Sequence, residues 1–108
     1  MSLEENLRIM SLIDTYGKLL TNKQFEIVSN YYFDNLTLSE IGDNYSISRQ
    51  AVNDCINQSV KALETYEEKL QLITKNNAII DKLRQIADDS NNAELSERLA
   101  EIIEDIRG

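Results

Sequence analysis

The sequence predicts an all-α protein organised around a helix-turn-helix, and three observations carry that expectation. Proline is absent and glycine occurs only at Gly17, Gly42 and Gly108, while Leu, Ile, Glu, Lys, Gln and Asn dominate, a composition that favours helices throughout. Helix starts are written locally: Thr21 with Gln24, and Thr37 with Glu40, fit the capping box, in which a threonine oxygen accepts an orphan N–H of the first turn. Apolar residues recur at spacings of three and four and nowhere alternate as a half-buried strand demands. A chain of 108 residues is expected to be one domain with a modest core.

Ile9, Leu12, Ile13, Tyr16, Leu19 and Leu20 fall on one stripe and predict an amphipathic first helix from about Leu3 to Leu19, its last turn weakened by Gly17. Thr21 then caps a second helix, with Leu20 and Phe25 placed as its hydrophobic staple. Phe25, Val28, Tyr31 and Tyr32 give this helix an aromatic inner face, and Asp34-Asn35 ends it. The tyrosines are assigned to the core, because a stacking platform for single-stranded nucleic acid interleaves Lys or Arg, and the neighbours here are Glu26, Asn30 and Asp34.

Leu36 to Gly42 opens the third helix at Thr37, with Leu36 and Ile41 as staple, and Ile47, Ser48 and Val52 repeat the pattern for the fourth. Only about seven residues separate the two starts once the first is formed, so the fourth helix must cross the third steeply and project one face. Ile41, Tyr45, Ile47, Val52 and Cys55 or Ile56 fall where such a unit buries its contacts, and Gly42 is small enough to let the two helices approach. The second, third and fourth helices make a trihelical unit over residues 21–66.

From Ser48 the pattern Val52, Ile56, Val60, Leu63, Tyr66, Leu70, Ile73 runs without interruption to Asn76-Asn77, predicting one long helix. Residues 67–108 are expected to form a helical extension. In it Ala78, Ile79, Leu83, Ile86 and Ala87 face Leu95, Leu99, Ile102, Ile103 and Ile106 across a turn at 88–92. This hairpin either packs on Leu70 and Ile73 within one chain or pairs with a second copy as a homodimer.

The net charge of −8 opposes unaided binding to a polyanion unless positive charge is concentrated locally. Between Ser48 and Leu63 the charged residues are Arg49, Asp54 and Lys61, so the projected face is nearly neutral and rich in amides. Its candidate nucleic-acid contacts are Ser48, Arg49, Gln50, Asn53, Asn57 and Lys61, since Asn and Gln can bond adenine edges and Arg can reach guanine or phosphate. The bland alternative is an ordinary solvated polar face. With no histidine and one cysteine, His-based catalysis and zinc-finger chemistry have no residues to work with, and Cys55 reads as packing. No nucleophile–base pair, phosphate-cradling glycine loop or ligand cluster is present, so no enzyme, metal or cofactor is expected. Apolar runs fall short of the roughly 20 residues of a bilayer span, and residues 1–5 are acidic where a secretory signal is basic, which predicts a cytoplasmic protein.

The chain resembles the YlxM family through Leu19-Leu20-Thr21-Asn22-Lys23-Gln24, Tyr31-Tyr32, Leu38-Ser39-Glu40-Ile41, Ser48-Arg49-Gln50-Ala51-Val52 with Asp54, and Leu63-Glu64 through Tyr66-Glu67 to Lys69-Leu70. More distantly the motif is similar to region 4 of bacterial sigma factors. The resemblance, which covers roughly the first two thirds, implies a small bacterial all-α protein encoded beside signal recognition particle components and accessory to them. There are departures. Ser46 stands where sigma-like units place glycine, so a left-handed backbone there costs about 1 kcal/mol, or the turn takes another shape. Neutral Asn53, Asn57 and Gln58 replace a tyrosine and basic residues common in the family.

Two functional readings result. One is an accessory or regulatory protein of the signal recognition particle pathway, meeting its protein or RNA through an acidic surface. The alternative is a sequence-specific DNA-binding transcription regulator.

Overall fold

The computed structural model describes residues 2–108, which form α1 (Leu3–Tyr16), a 3-10 turn (Gly17–Leu19), α2 (Asn22–Tyr32), α3 (Leu38–Tyr45), α4 (Arg49–Leu70), α5 (Leu72–Ser90) and α6 (Ala93–Arg107). No strand occurs among the described residues, and the protein is all-α as its sequence predicts. The helices cluster into two compact units that divide between Leu70 and Gln71.

In the first unit Ser2 Oγ accepts the Glu5 N–H at 3.2 Å and starts α1, whose first turn carries Glu4 and Glu5 at the positive end of the helix dipole. Ile9, Leu12, Ile13 and Tyr16 are buried as expected. The helix ends at Tyr16 instead of Leu19, because Gly17–Leu19 tighten into the 3-10 turn, which leaves Leu19 exposed and turns Leu20 inward. Gly17 is more than a weak helix former. A Cβ there would lie 2.6 Å from Phe25 Cε1, so the Phe25 ring lies over the glycine and stays 41% exposed instead of joining the core.

The inner face of α2 is Ile27 and Val28, which join Ile41 of α3 and Val52, Ile56 and Leu63 of α4 around the α1 stripe. Tyr31 and Tyr32 are only half-buried, which corrects their assignment to the core. They stand at the C-terminal end of α2, beyond Ile27 and Val28, which fill its inner face. Their rings meet edge to face, with centroids 5.0 Å apart. Tyr45, Ile47 and Cys55 are likewise at the rim of the motif, while Ile56 is buried. Ser59, a polar residue at the core of α4, is satisfied by donating to the Cys55 carbonyl at 2.7 Å.

The expected long helix stops earlier than its apolar pattern. Gln71 adopts a left-handed backbone (φ 54, ψ 32) and separates α4 from α5, so Ile73 and Asn76-Asn77 lie within α5. The second unit is a helical hairpin joined by Asn91, which is left-handed, and Asn92, whose Oδ1 accepts the Leu95 N–H at 3.1 Å. Its buried aliphatics are Ile80, Leu99 and Ile103.

Candidate nucleic-acid interface

The helix-turn-helix is built by local hydrogen bonds that its sequence specifies. Thr37 Oγ1 accepts the Glu40 N–H and Glu40 Oε1 accepts the Thr37 N–H, each at 3.1 Å, completing the box that starts α3. At the other end Ser46 takes the left-handed conformation (φ 56, ψ 41). There the Ile47 N–H reaches the Gly42 carbonyl at 3.0 Å and the Ser46 N–H the Asp43 carbonyl at 3.4 Å. This is the paired closure that satisfies the last carbonyls of a helix, and it selects the left-handed turn from the two open shapes. Gly42 is required by contact, since a Cβ would stand 2.7 Å from the Ile47 carbonyl oxygen. Ser48 Oγ then accepts the Ala51 N–H at 3.0 Å, and α4 begins at Arg49.

The six candidate contacts divide into two groups. Ser48, Arg49 and Gln50 occupy the exposed start of α4. The Ser48 hydroxyl is engaged as a cap, and Gln50 Nε2 donates to Asp54 Oδ1 at 2.9 Å, placing a carboxylate one turn along the same surface. Arg49 is exposed and makes no ion pair among the described residues.

Asn53, Asn57 and Lys61 instead line a groove of about 230 Å³. Tyr31 and Tyr32 from the end of α2, Glu5 and Ile9 from α1, Leu38 from α3 and Ile56, Val60 and Glu64 from α4 complete its walls. Arg8 donates to Glu64 and ties α1 to α4 beside it. Burial raises the pKa of the Tyr32 phenol, and the nearby Tyr31, Glu5 and Glu64 raise it further. The charged groups lining the groove are Glu5, Glu64 and Lys61, and with Arg8 paired to Glu64 the local charge is close to balanced, so no positive charge is concentrated there for a phosphate backbone. Tyr45, on the rim of α3, donates to Glu26 Oε2 at 2.8 Å, and its pKa is raised by partial burial and by this bond.

The sequence did not single out Tyr31, Tyr32 and Glu5 as neighbours of the projected helix. Among the described residues there is no cluster of His, Cys, Asp and Glu able to hold a metal ion, and no helix long and apolar enough to cross a membrane.

Comparison with known proteins agrees with this geometry. The family model described as "Putative helix-turn-helix protein, YlxM / p13 like" matches residues 3–103, well beyond the first two thirds on which the resemblance rests. A UPF0122 protein of Bacillus pumilus is 43% identical over 107 residues, covering 96% of this chain and 97% of the relative. The YlxM protein of Bacillus subtilis is 42% identical with the same coverage, and a UPF0122 protein of Latilactobacillus sakei is 42% identical over 108 residues, covering 95% of this chain and 96% of the relative. The family is described by its helix-turn-helix and not as a family of enzymes. With the motif formed and the match nearly full-length, the chain belongs to the YlxM/p13-like helix-turn-helix family.

Proposed function

We propose that this protein is a non-catalytic accessory of the signal recognition particle pathway, in which the helix-turn-helix serves as a scaffold for contact with a protein or RNA component. The observation that carries this reading is the make-up of the projected face. Asn53, Asn57 and Lys61 lie in a groove shared with Glu5 and with Glu64, which Arg8 pairs, and Gln50 is bonded to Asp54, so the surface that would enter a DNA major groove is amide-rich and carries no concentration of positive charge. The overall charge of −8 acts in the same direction and suits a basic GTPase domain or ribonucleoprotein. The resemblance to the YlxM family supplies the pathway.

A second reading, sequence-specific duplex binding for transcriptional regulation, is favoured by one feature. The first turn of α4 is exposed, capped by Ser48, and presents Arg49 with no ion pair among the described residues.

Equilibrium binding of the full chain to signal recognition particle RNA, to the particle's GTPase and to random duplex DNA, each across a salt series, separates the readings. The accessory reading expects saturable binding to one of the first two and weak duplex binding. Binding confined to duplex DNA would overturn it.

A further inference from the structure

The tyrosine pair at the end of α2 has open space on two sides. Tyr31 and Tyr32 line the groove of about 230 Å³ that holds Asn53 and Asn57, and they also line a second cavity of about 350 Å³, whose other walls are Asn6, Asn35 and Leu36. One aromatic ridge therefore separates two adjacent hollows, both within the first compact unit. The rings stand 87° to each other, so the ridge offers aromatic surface in two directions.

The surroundings of the ridge are polar but nearly neutral. The side-chain amides of Asn53, Asn57 and Asn35 have no hydrogen-bond partner among the described residues, and Ile9, Ile56 and Val60 supply apolar wall. Glu64 is paired by Arg8, and the charges of Glu5 and Lys61 offset each other. A phosphate backbone finds no concentrated positive charge here, and the apolar face of a helix would leave the amides unbonded. The ligand that suits this chemistry is neutral where it touches the ridge, carries rings and has open carbonyls. A polyproline II segment meets all three requirements. It has no internal hydrogen bonds, so its carbonyls remain free for amide donors, and prolines one turn apart, about 9 Å along the segment, can straddle an aromatic ridge.

We propose that the tyrosine ridge is a docking site for a proline-rich, extended segment of a partner protein, with a prolyl ring in the hollow on either side of Tyr31 and Tyr32 and the amides of Asn53 and Asn57 donating to its carbonyls. Charge selects the flanks of that segment. The chain carries a net charge of −8, so prolines bordered by arginine or lysine are drawn to it, whereas an acidic segment or a single-stranded nucleic acid is repelled. This rests on the reading of the face as a contact surface for a protein and adds the chemistry of what it contacts.

Fluorescence anisotropy of a labelled proline oligomer with an arginine at each end, titrated with the full chain, tests the proposal. Saturable binding is expected, and a control peptide with alanine in place of every proline should bind at least about tenfold more weakly. Tyr31→Ala and Tyr32→Ala should each weaken the complex about tenfold, as the loss of an aromatic anchor does. Asn57→Ala removes an amide from an exposed position and should weaken binding several-fold without lowering the melting temperature, so the site is tested even if a tyrosine variant fails to fold. Absence of saturable binding, equal binding of the alanine control, or indifference to these substitutions would overturn the proposal. Displacement of the probe by single-stranded RNA at comparable concentration would do the same. A chain that binds the signal recognition particle GTPase or RNA but not the proline probe would keep the accessory reading and refute this one.

Discussion

Glycine exchanges at Gly42 and Ser46, four residues apart, should shift stability in opposite directions, each against what helix propensity alone implies. In an ordinary helix Gly→Ala is stabilising by about 1 kcal/mol. At Gly42 the added Cβ would stand 2.7 Å from the Ile47 carbonyl oxygen, a backbone atom of the turn that cannot rotate away as a side-chain tip can. Relieving that overlap shifts the turn and strains the 3.0 Å bond from the Ile47 N–H to the Gly42 carbonyl. Overpacking of this kind costs about 1–3 kcal/mol, so Gly42→Ala should lose roughly 1 kcal/mol net. Ser46→Gly places glycine where φ is 56 and removes a left-handed penalty of about 1 kcal/mol, offset in part by the freer unfolded chain, for a gain of a few tenths to 1 kcal/mol. Thermal melts followed at 222 nm should show this as a fall of about 4–8 °C per kcal/mol for Gly42→Ala and a smaller rise for Ser46→Gly. A Gly42→Ala protein more stable than wild type would refute the close approach on which the motif geometry depends.

Val52→Asp should destabilise by at least about 3 kcal/mol, since an unpaired carboxylate would sit in the centre of the motif, whereas Gln50→Ala should stay within about 0.5 kcal/mol because it removes only the exposed bond to Asp54. Equal melting temperatures for the two would mean that α4 is rotated from the orientation described. Alkaline titration gives a third outcome. The phenols of Tyr32 and Tyr45 have raised pKa values in the folded protein, so above the ordinary value of 10.0 the unfolded chain loses its protons first. Stability should therefore be full below about pH 10 and decline as pH rises through the folded values, with a shallower decline in Tyr32→Phe and Tyr45→Phe. An unchanged slope in both variants would remove the burial and carboxylate effects assigned to these groups. Gln71→Gly should be neutral to stabilising by up to about 1 kcal/mol, because φ there is 54. A clear loss would place the helix break elsewhere.

The elements legible in the sequence were those fixed by local hydrogen bonding. The boxes at Thr21 and Thr37 and the cap at Ser48 each form as their spacing requires, because a cap is decided within four residues. The break at Gln71 was hidden for the converse reason. Leu70 and Ile73 continue the apolar period across it, and no glycine or proline marks a turn held in the left-handed region by an ordinary residue. Phe25 and Leu19 were assigned to buried stripes by periodicity, and tertiary contact with Gly17 and the 3-10 turn decided otherwise. The outward set on α4 was readable by helical phase. That Asn53, Asn57 and Lys61 share a groove with Tyr31, Tyr32 and Glu5 depends on how α1 and α2 pack, which spacing within α4 does not encode.

The most direct test of the central claim is the affinity of the full chain alone for duplex DNA, random and promoter-derived, measured from low to physiological salt. Arg49 and Lys61 are the cations of the candidate face, so log K should fall with log salt at a slope no steeper than about −2, with a dissociation constant weaker than about 10⁻⁴ M at physiological salt. Arg49→Ala should flatten that slope by about one without lowering the melting temperature. Sequence-specific binding by the protein alone, with a dissociation constant near 10⁻⁸ M or tighter, would contradict the account and establish the helix-turn-helix as a duplex reader.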